Sequence, residues 1–326
     1  MKRTLANRRA ALASLGIFVL LPRLAAAQAS KVARVGVLVS GAAPHPFPDA
    51  LKAGMRSLGY VEGRNVSFEV RHADGKFERA VELAGELVRL RVEVIVAHFT
   101  PAAMAAKKVT QSIPIVMAPA GAPLQTGLVQ SLARPEGNVT GLSAMAAELG
   151  SKRLELLREA IPGLARVAVL GAAPDPFTKP FVQDLKAAAE KAGLQLQAVL
   201  VQGSSEFERA FDEMAAAKAQ AVIVQPIFDS QRASIVKLAD KHRLAIMSSD
   251  RETLNAGGLM SFWVDEAELF RRAPIYVDKI LKGASPASLP VEQPTKFVLA
   301  INLTSAKLLG ITVPRDLLVR ADEVIR

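Results

Sequence analysis

The chain has 326 residues, half of them hydrophobic and 22% charged, with a formal net charge of +10 and no cysteine. The length exceeds one average domain, the apolar fraction excludes a disordered chain, and the lack of cysteine excludes disulfides, thiolate metal sites and a lipid-modified N-terminal cysteine. No run reaches the roughly 18–20 apolar residues of a membrane-spanning helix.

In chain order the first feature is a basic head (Lys2, Arg3, Arg8, Arg9), then an apolar stretch over 10–21 and small residues in Leu24-Ala-Ala-Ala-Gln-Ala29. That order reads as a secretory signal over residues 1–29, cleaved after Ala27 or Ala29, and it predicts a periplasmic protein. Its removal takes away five basic residues and no acidic one, leaving +5. With 5% aromatics there are few stacking platforms for nucleic acid, and none is expected as a partner.

From there short apolar runs alternate with amphipathic segments, the pattern of a parallel α/β sheet. Strands are predicted at Val35-Gly-Val-Leu-Val39, 66–70, 94–97 and Ile115-Val-Met117, with helices over 50–58 and 77–90. The order then recurs. Strands at 167–170, 196–201, 221–224 and 244–247 alternate with helices over 181–192 and 207–217. Offsets between matching strands stay within 128–132 residues, and Phe77-Glu-Arg-Ala80 reappears as Phe207-Glu-Arg-Ala210, 130 residues on. The reading is two similar lobes, residues 30–145 and 146–284, with part of 285–326 returning to the first.

Right-handed crossovers would align the C-terminal strand ends of each lobe, and ligands of open α/β sheets bind at that edge. Those ends carry Ser40, Gly41, His98, Thr100, Pro101 and Gly121 in the first lobe. In the second they carry Pro174, Asp175, Phe228 and Asp250. Thr100 followed by Pro101 predicts a helix start, Thr as N-cap and Pro in the first turn, whose free N–H groups suit an oxyanion. His98 could line the cleft, and Asp175 and Asp250 could take a hydroxyl or a cation. Catalytic signatures are missing: no G-x-G-x-x-G follows the first strand, and there is no P-loop, G-x-S-x-G or H-E-x-x-H. The four histidines (His45, His72, His98, His242) lack metal-ligand spacing. No enzymatic activity, cofactor or metal is expected.

The chain resembles the substrate-binding proteins of ABC importers, in particular the family of tryptophan/aromatic-amino-acid-type binding proteins. The resemblance is carried by Gly63-Arg-Asn-Val66 with Glu69 and Arg71, residues 84–96, Thr100-Pro-Ala-Ala103 and Ile113-Pro-Ile-Val116. It continues through Thr126-Gly-Leu128, Leu132-Ala-Arg-Pro135, residues 137–143 and Lys152-Arg-Leu-Glu-Leu-Leu157. Gly257-Gly-Leu-Met-Ser261, residues 276–283, residues 290–297 and Ala321-Asp-Glu-Val324 complete it. The resemblance implies a type I periplasmic-binding-protein-like fold, two Rossmann-like lobes with parallel sheets joined by a multi-crossover hinge near 141–151, 261–266 and 285–294. It implies a monomer that traps a small carboxylate-bearing ligand and delivers it to importer permease subunits, touching the membrane only through them. Ligand contacts carried over from the family are Ser40, Thr100, Pro101, Gly121 and Ser143, then Pro174, Asp175, Phe228 and Asp250, with Ser261 and Phe262 nearby.

The chain departs from the family at Gly121-Ala122-Pro123, where many relatives have Gly-Asp-Pro, and at Ala172-Ala-Pro-Asp-Pro176, where relatives often have Asn-Pro-x-Asn-Pro-like loops. Ala122 cannot meet an ammonium group, so a carboxylate without an α-amino group rivals an amino acid as ligand. Other readings are a receptor subunit of the same fold, an α/β enzyme, and a transcription regulator. The last would need a helix-turn-helix ahead of the first strand.

Overall fold

The computed structural model describes residues 32–264 and 266–326, of which 266–270 are described by backbone alone. The expected signal over 1–29 lies outside the described residues. The first sheet holds β1 (Ala33–Val39), β2 (Val66–His72), β3 (Val94–His98), β4 (Ile115–Ala120) and β5 (Val139–Ser143), all parallel, in the order β2-β1-β3-β4-β5. Helices α1 (Pro46–Ser57), α2 (Phe77–Arg89) and α3 (Phe99–Val109) connect its strands. Strands β1, β3 and β4 are buried along almost their whole length, as expected of β-branched runs covered on both faces.

The chain then forms α4 (Ala146–Ala160) and a second sheet: β6 (Arg166–Ala172), β7 (Gln195–Val201), β8 (Ala221–Val224), β9 (Ala245–Ser248) and β10 (Met260–Val264). Helices α5 (Thr178–Ala192), α6 (Phe207–Ala216), α7 (Arg232–His242) and the short α8 (Arg251–Asn255) link these strands. Read from β7, the order is β7-β6-β8-β9-β10, the same as in the first sheet. The repeated Phe-Glu-Arg-Ala opens α2 in one lobe and α6 in the other. Its Phe207 and Ala210 are buried, so the motif is a packing solution used twice.

Two helices depart from this simple repeat. Helix α4 follows β5 but packs on α5 in the second lobe, where Leu154 and Leu157 join the core around Phe181. Helix α9 (Glu266–Leu281) follows β10 but packs on α1 and on β3, β4 and β5 in the first lobe. Its Ala273, Tyr276 and Val277 share a core with Val35, Phe47 and Leu51. Sequence reading had placed residues 266–281 in the second lobe. An amphipathic stripe states that a helix is covered on one face but not by which sheet.

The C-terminal strands β11 (Phe297–Asn302) and β12 (Glu323–Ile325), with α10 (Leu303–Leu309) and α11 (Arg315–Arg320) between them, extend the second sheet. Strand β11 runs antiparallel to β10, and β12 parallel to β11. From residue 297 onward the chain thus joins the second sheet, and only the segment ahead of it touches the first lobe. There Leu289 O accepts from Thr140 Oγ1 (2.7 Å), Pro290 O from Tyr276 Oη (2.6 Å) and Glu292 O from Ser143 N (2.8 Å). The lobes are joined by three crossovers, after β5, after β10 and ahead of β11, and the first and third lie side by side through the Leu142–Glu292 bridge. Among the described residues no helix is long and apolar enough to cross a membrane.

Candidate functional site

The common strand order brings the C-terminal ends of β1, β3, β4, β6, β8 and β9 to facing edges of the lobes. Between them lies a cavity of about 40 Å³. The first lobe contributes Phe99, Thr100 and Gly121; the second contributes Asp175, Phe177, Pro226, Ile227 and Ser249. Ala144, Ala146, Leu149, Arg153 and Val264 close the hinge side. A space of about 20 Å³ beside it is bounded by Ser40, Pro101, Pro174, Asp175 and Ile227. Outward, an open groove of about 710 Å³ runs between His45, His98 and Phe99 on one lobe and Asp229, Arg232, Asp250 and Glu252 on the other. A further groove of about 690 Å³ between α4 and α5 lies away from the strand ends, and its rim mixes Glu155, Arg158, Asp184 and Lys191.

Helix α3 starts differently from expectation. Its N-cap is His98 and its first residue is Phe99, at φ +67°. An aromatic residue in the left-handed region is a genuine outlier, and strain of this kind concentrates at functional sites. Thr100, expected as the cap, lies inside the first turn, and its Oγ1 accepts from Gly121 N at 2.9 Å, joining the end of β4 to α3. His98 itself is buried among the rings of His45, Phe47 and Phe99. Burial, reinforced by the neighbouring His45, lowers its pKa to about 3 and keeps it neutral.

Across the cavity Asp175 stands in the turn before α5. Its Oδ1 accepts from Phe177 N (2.9 Å) and its Oδ2 from Gln225 Nε2 (2.7 Å), while Gln225 Oε1 accepts from Ala172 N (2.8 Å). Burial raises its pKa to about 7 against the opposing pull of these two hydrogen bonds. At the hinge side Arg153, 2% exposed, donates Nε to Phe262 O at 2.8 Å. Near the mouth Asp250 caps α8 through Thr253 N (2.7 Å) and Thr253 Oγ1 (2.8 Å), with Arg232 Nε 3.7 Å away. His45 Nε2 meets Asp229 Oδ2 at 3.3 Å, a hydrogen bond from lobe to lobe. Burial pushes the Asp229 pKa up, but hydrogen bonds from His45 and Ser230 outweigh it and leave a net lowering.

The sequence candidates divide accordingly. Thr100, Gly121 and Asp175 face the cavity, Ser40, Pro101 and Pro174 the space beside it, and His98 and Asp250 the outer groove. Gly41 stands at the groove's edge, its Cα facing the His45 ring and Ser230. Four others turn away. Ser143 is bound into the crossovers, its Oγ accepting from Met145 N at 3.1 Å. Phe228 packs edge-on against Phe207 in the second core. Ser261 bonds to Ser248 and to Asp250 O, and Phe262 stacks on Phe297. Even-numbered and odd-numbered strand residues reach opposite faces, and sequence alone did not fix which face of β10 looks at the cleft. Sequence reading missed Phe99, Phe177, Ile227, Ser249 and Arg153. Arg153 had the one available signal, a charge among the apolar residues of α4.

Gly121 and Phe177 meet across the lobes. A Cβ on Gly121 would stand 2.8 Å from the Phe177 ring. Gly121→Ala should therefore leave each lobe intact and penalise the closed form by about 1–3 kcal/mol of overpacking. Small-angle scattering should show a larger radius of gyration, reversed by adding Phe177→Leu. An unchanged radius would refute the contact's role in closure.

Among the described residues no three His, Asp or Glu side chains are grouped to hold a metal ion. The family model for ABC transporter substrate binding proteins matches residues 31–325. A tyrosine-binding protein from Clostridioides difficile (strain R20291) is 26% identical over 277 residues, 83% of this chain and 79% of that protein. The crystal structure of a conserved domain protein from Vibrio cholerae O1 biovar El Tor superposes with a TM-score of 0.82 at 28% identity, covering 90% of this chain and 100% of that one. The ABC domain in complex with L-Trp from Streptococcus pneumoniae gives 0.81 at 28% identity, with 90% and 99% covered. The two-lobed architecture is that of the periplasmic binding proteins.

Proposed function

We propose that this chain, which belongs to the ABC transporter substrate-binding protein family, captures a small carboxylate-bearing ligand between its lobes and delivers it to the membrane permease of an importer. The observation that carries the ligand class is the convergence of two helix starts on one cavity. Helix α3 of the first lobe and α5 of the second both begin at its wall, Phe99 and Thr100 on one side and Phe177 on the other. Helix α3 presents backbone N–H groups and partial positive charge to this space, whereas at α5 the Phe177 and Thr178 N–H groups are taken by Asp175 and the helix adds the partial positive charge of its start. Arg153 is the cation among the described residues that line this space, and Asp175, the acid among them, is brought close to neutrality by burial. Two relatives named for tyrosine and L-Trp also take carboxylate-bearing ligands.

Ligand capture follows from the geometry of closure. A ligand that touches both lobes stabilises the closed arrangement by the difference between its affinities for the closed and open forms. The three crossovers let the lobes turn without altering either sheet. The closed form, with the His45–Asp229 bond across its rim, is the surface a permease would recognise. Export by the expected N-terminal signal would place the protein in the periplasm.

A thermal-shift screen of the purified protein against amino acids and against aromatic and aliphatic carboxylates tests the reading. A ligand at 100 times its Kd should add about 2.7 kcal/mol of stability, a rise of a few degrees in Tm. If no carboxylate moves the transition, the ligand class is wrong.

A further inference from the structure

Outside lies the open groove of about 710 Å³, but the space at the inner end of the cleft is about 40 Å³. That holds roughly three waters, whereas an apolar cavity that admits benzene measures about 150 Å³. A ring is already in place, and it belongs to the protein. Phe177 lays its face on Gly121: Cγ, Cδ2 and Cε2 all come within 2.8–2.9 Å of the point where a Cβ would stand. Only a glycine lets the ring sit so deep. Phe177 is 4% exposed, packs on Phe181 with centroids 5.3 Å apart, and donates its backbone N–H to Asp175 Oδ1. It is thus anchored from the side of the second lobe. From the opposite lobe the ring of Phe99 lines the same space, with Ile227 beside it.

We propose that Phe177 is the specificity-determining residue of the cleft: its ring occupies the volume a ligand's ring would need, so the protein selects carboxylates that carry no ring. This rests on the carboxylate-binding reading above. The selection is steric. A ring-bearing carboxylate must either displace a packed side chain or hold the lobes apart, and the second option forfeits the contacts that make closure favourable.

Calorimetric titration of the full-length protein and of Phe177→Ala with propionate and with benzoate tests it. The wild type should bind propionate at least about tenfold more tightly than benzoate, and Phe177→Ala should invert that order. Phe177→Leu, which keeps a large apolar side chain and guards against a misfolded alanine variant, should narrow the wild-type preference. Benzoate binding to the wild type as tightly as propionate, or weakening in Phe177→Ala, would overturn the proposal and make the ring a stacking surface. Those two outcomes leave the carboxylate reading standing. Silence of folded wild type and variants toward both probes overturns this proposal and that reading together.

Discussion

Gly141→Ala should destabilise the protein by roughly 3–5 kcal/mol, combining a strained backbone with an overpacked strand pair. Gly141 lies in β5 at φ +124°, and a Cβ there would come within 2.4 Å of Met117 O and 2.6 Å of Met117 N. Both are backbone atoms of the neighbouring β4, so no side chain can rotate away. The position also anchors the hinge, because Gly141 O accepts from Glu292 N at 3.0 Å, next to the pairing of the first and third crossovers. Denaturant unfolding followed by the single tryptophan, Trp263 on β10 beside the second crossover, provides the measurement. A change of less than about 1 kcal/mol would show that β4 and β5 separate more easily than their register implies.

The pH dependence of stability should contain two large contributions of opposite sign. Asp175 titrates near 7 when folded against an ordinary value of 3.8, so the folded state holds its proton more tightly. Its contribution is fully present below about pH 4 and is lost as pH rises toward 7. Since each pH unit between folded and unfolded titration corresponds to about 1.4 kcal/mol, the loss approaches about 4 kcal/mol. His98 does the reverse. With a folded pKa of about 3 against 6.5, its contribution grows as pH rises through that interval. The wild type should therefore show a shallow profile between pH 4 and 6.5, and Asp175→Asn should expose a rising one. The difference between the two proteins carries the Asp175 contribution, whatever the substitution does to the Gln225 bond. Parallel profiles would mean that Asp175 stays ionised throughout.

How much of this was legible in the sequence depends on how local each cause is. The strands of both lobes show as β-branched runs, and the repeat shows because Phe77 and Phe207 solve the same packing problem at the same offset. Thr100, Gly121 and Asp175 were found because strand ends in such sheets face ligands whatever their identity. The remaining features depend on contacts between distant segments. Nothing in the sequence around Phe99 announces a positive φ, since that conformation is imposed by the junction of β3 and α3. Phe177 reads as an ordinary hydrophobic residue until Gly121, 56 positions earlier, is seen beneath it. Ser143 and Ser261 are candidates through the family resemblance, which matches their positions in the chain but not the backbone and side-chain partners that hold them here.

The exchange of α4 and α9 bears on how such a protein can be divided. Each lobe lends the other a helix, so a cut between residues 145 and 146 would give an N-terminal piece without α9, leaving the apolar row from Val35 to Leu51 open to water. The complementary piece would keep α4 but carry α9 with no first sheet to meet. Neither half is an autonomous folding unit. Closure of the cleft as proposed above would therefore be a motion between parts that cannot be separated, although mobility and separability usually accompany each other in two-domain chains. Chimeras that import a whole lobe from a relative should respect all three connectors, since a junction placed in only one of them splits a core and not a linker.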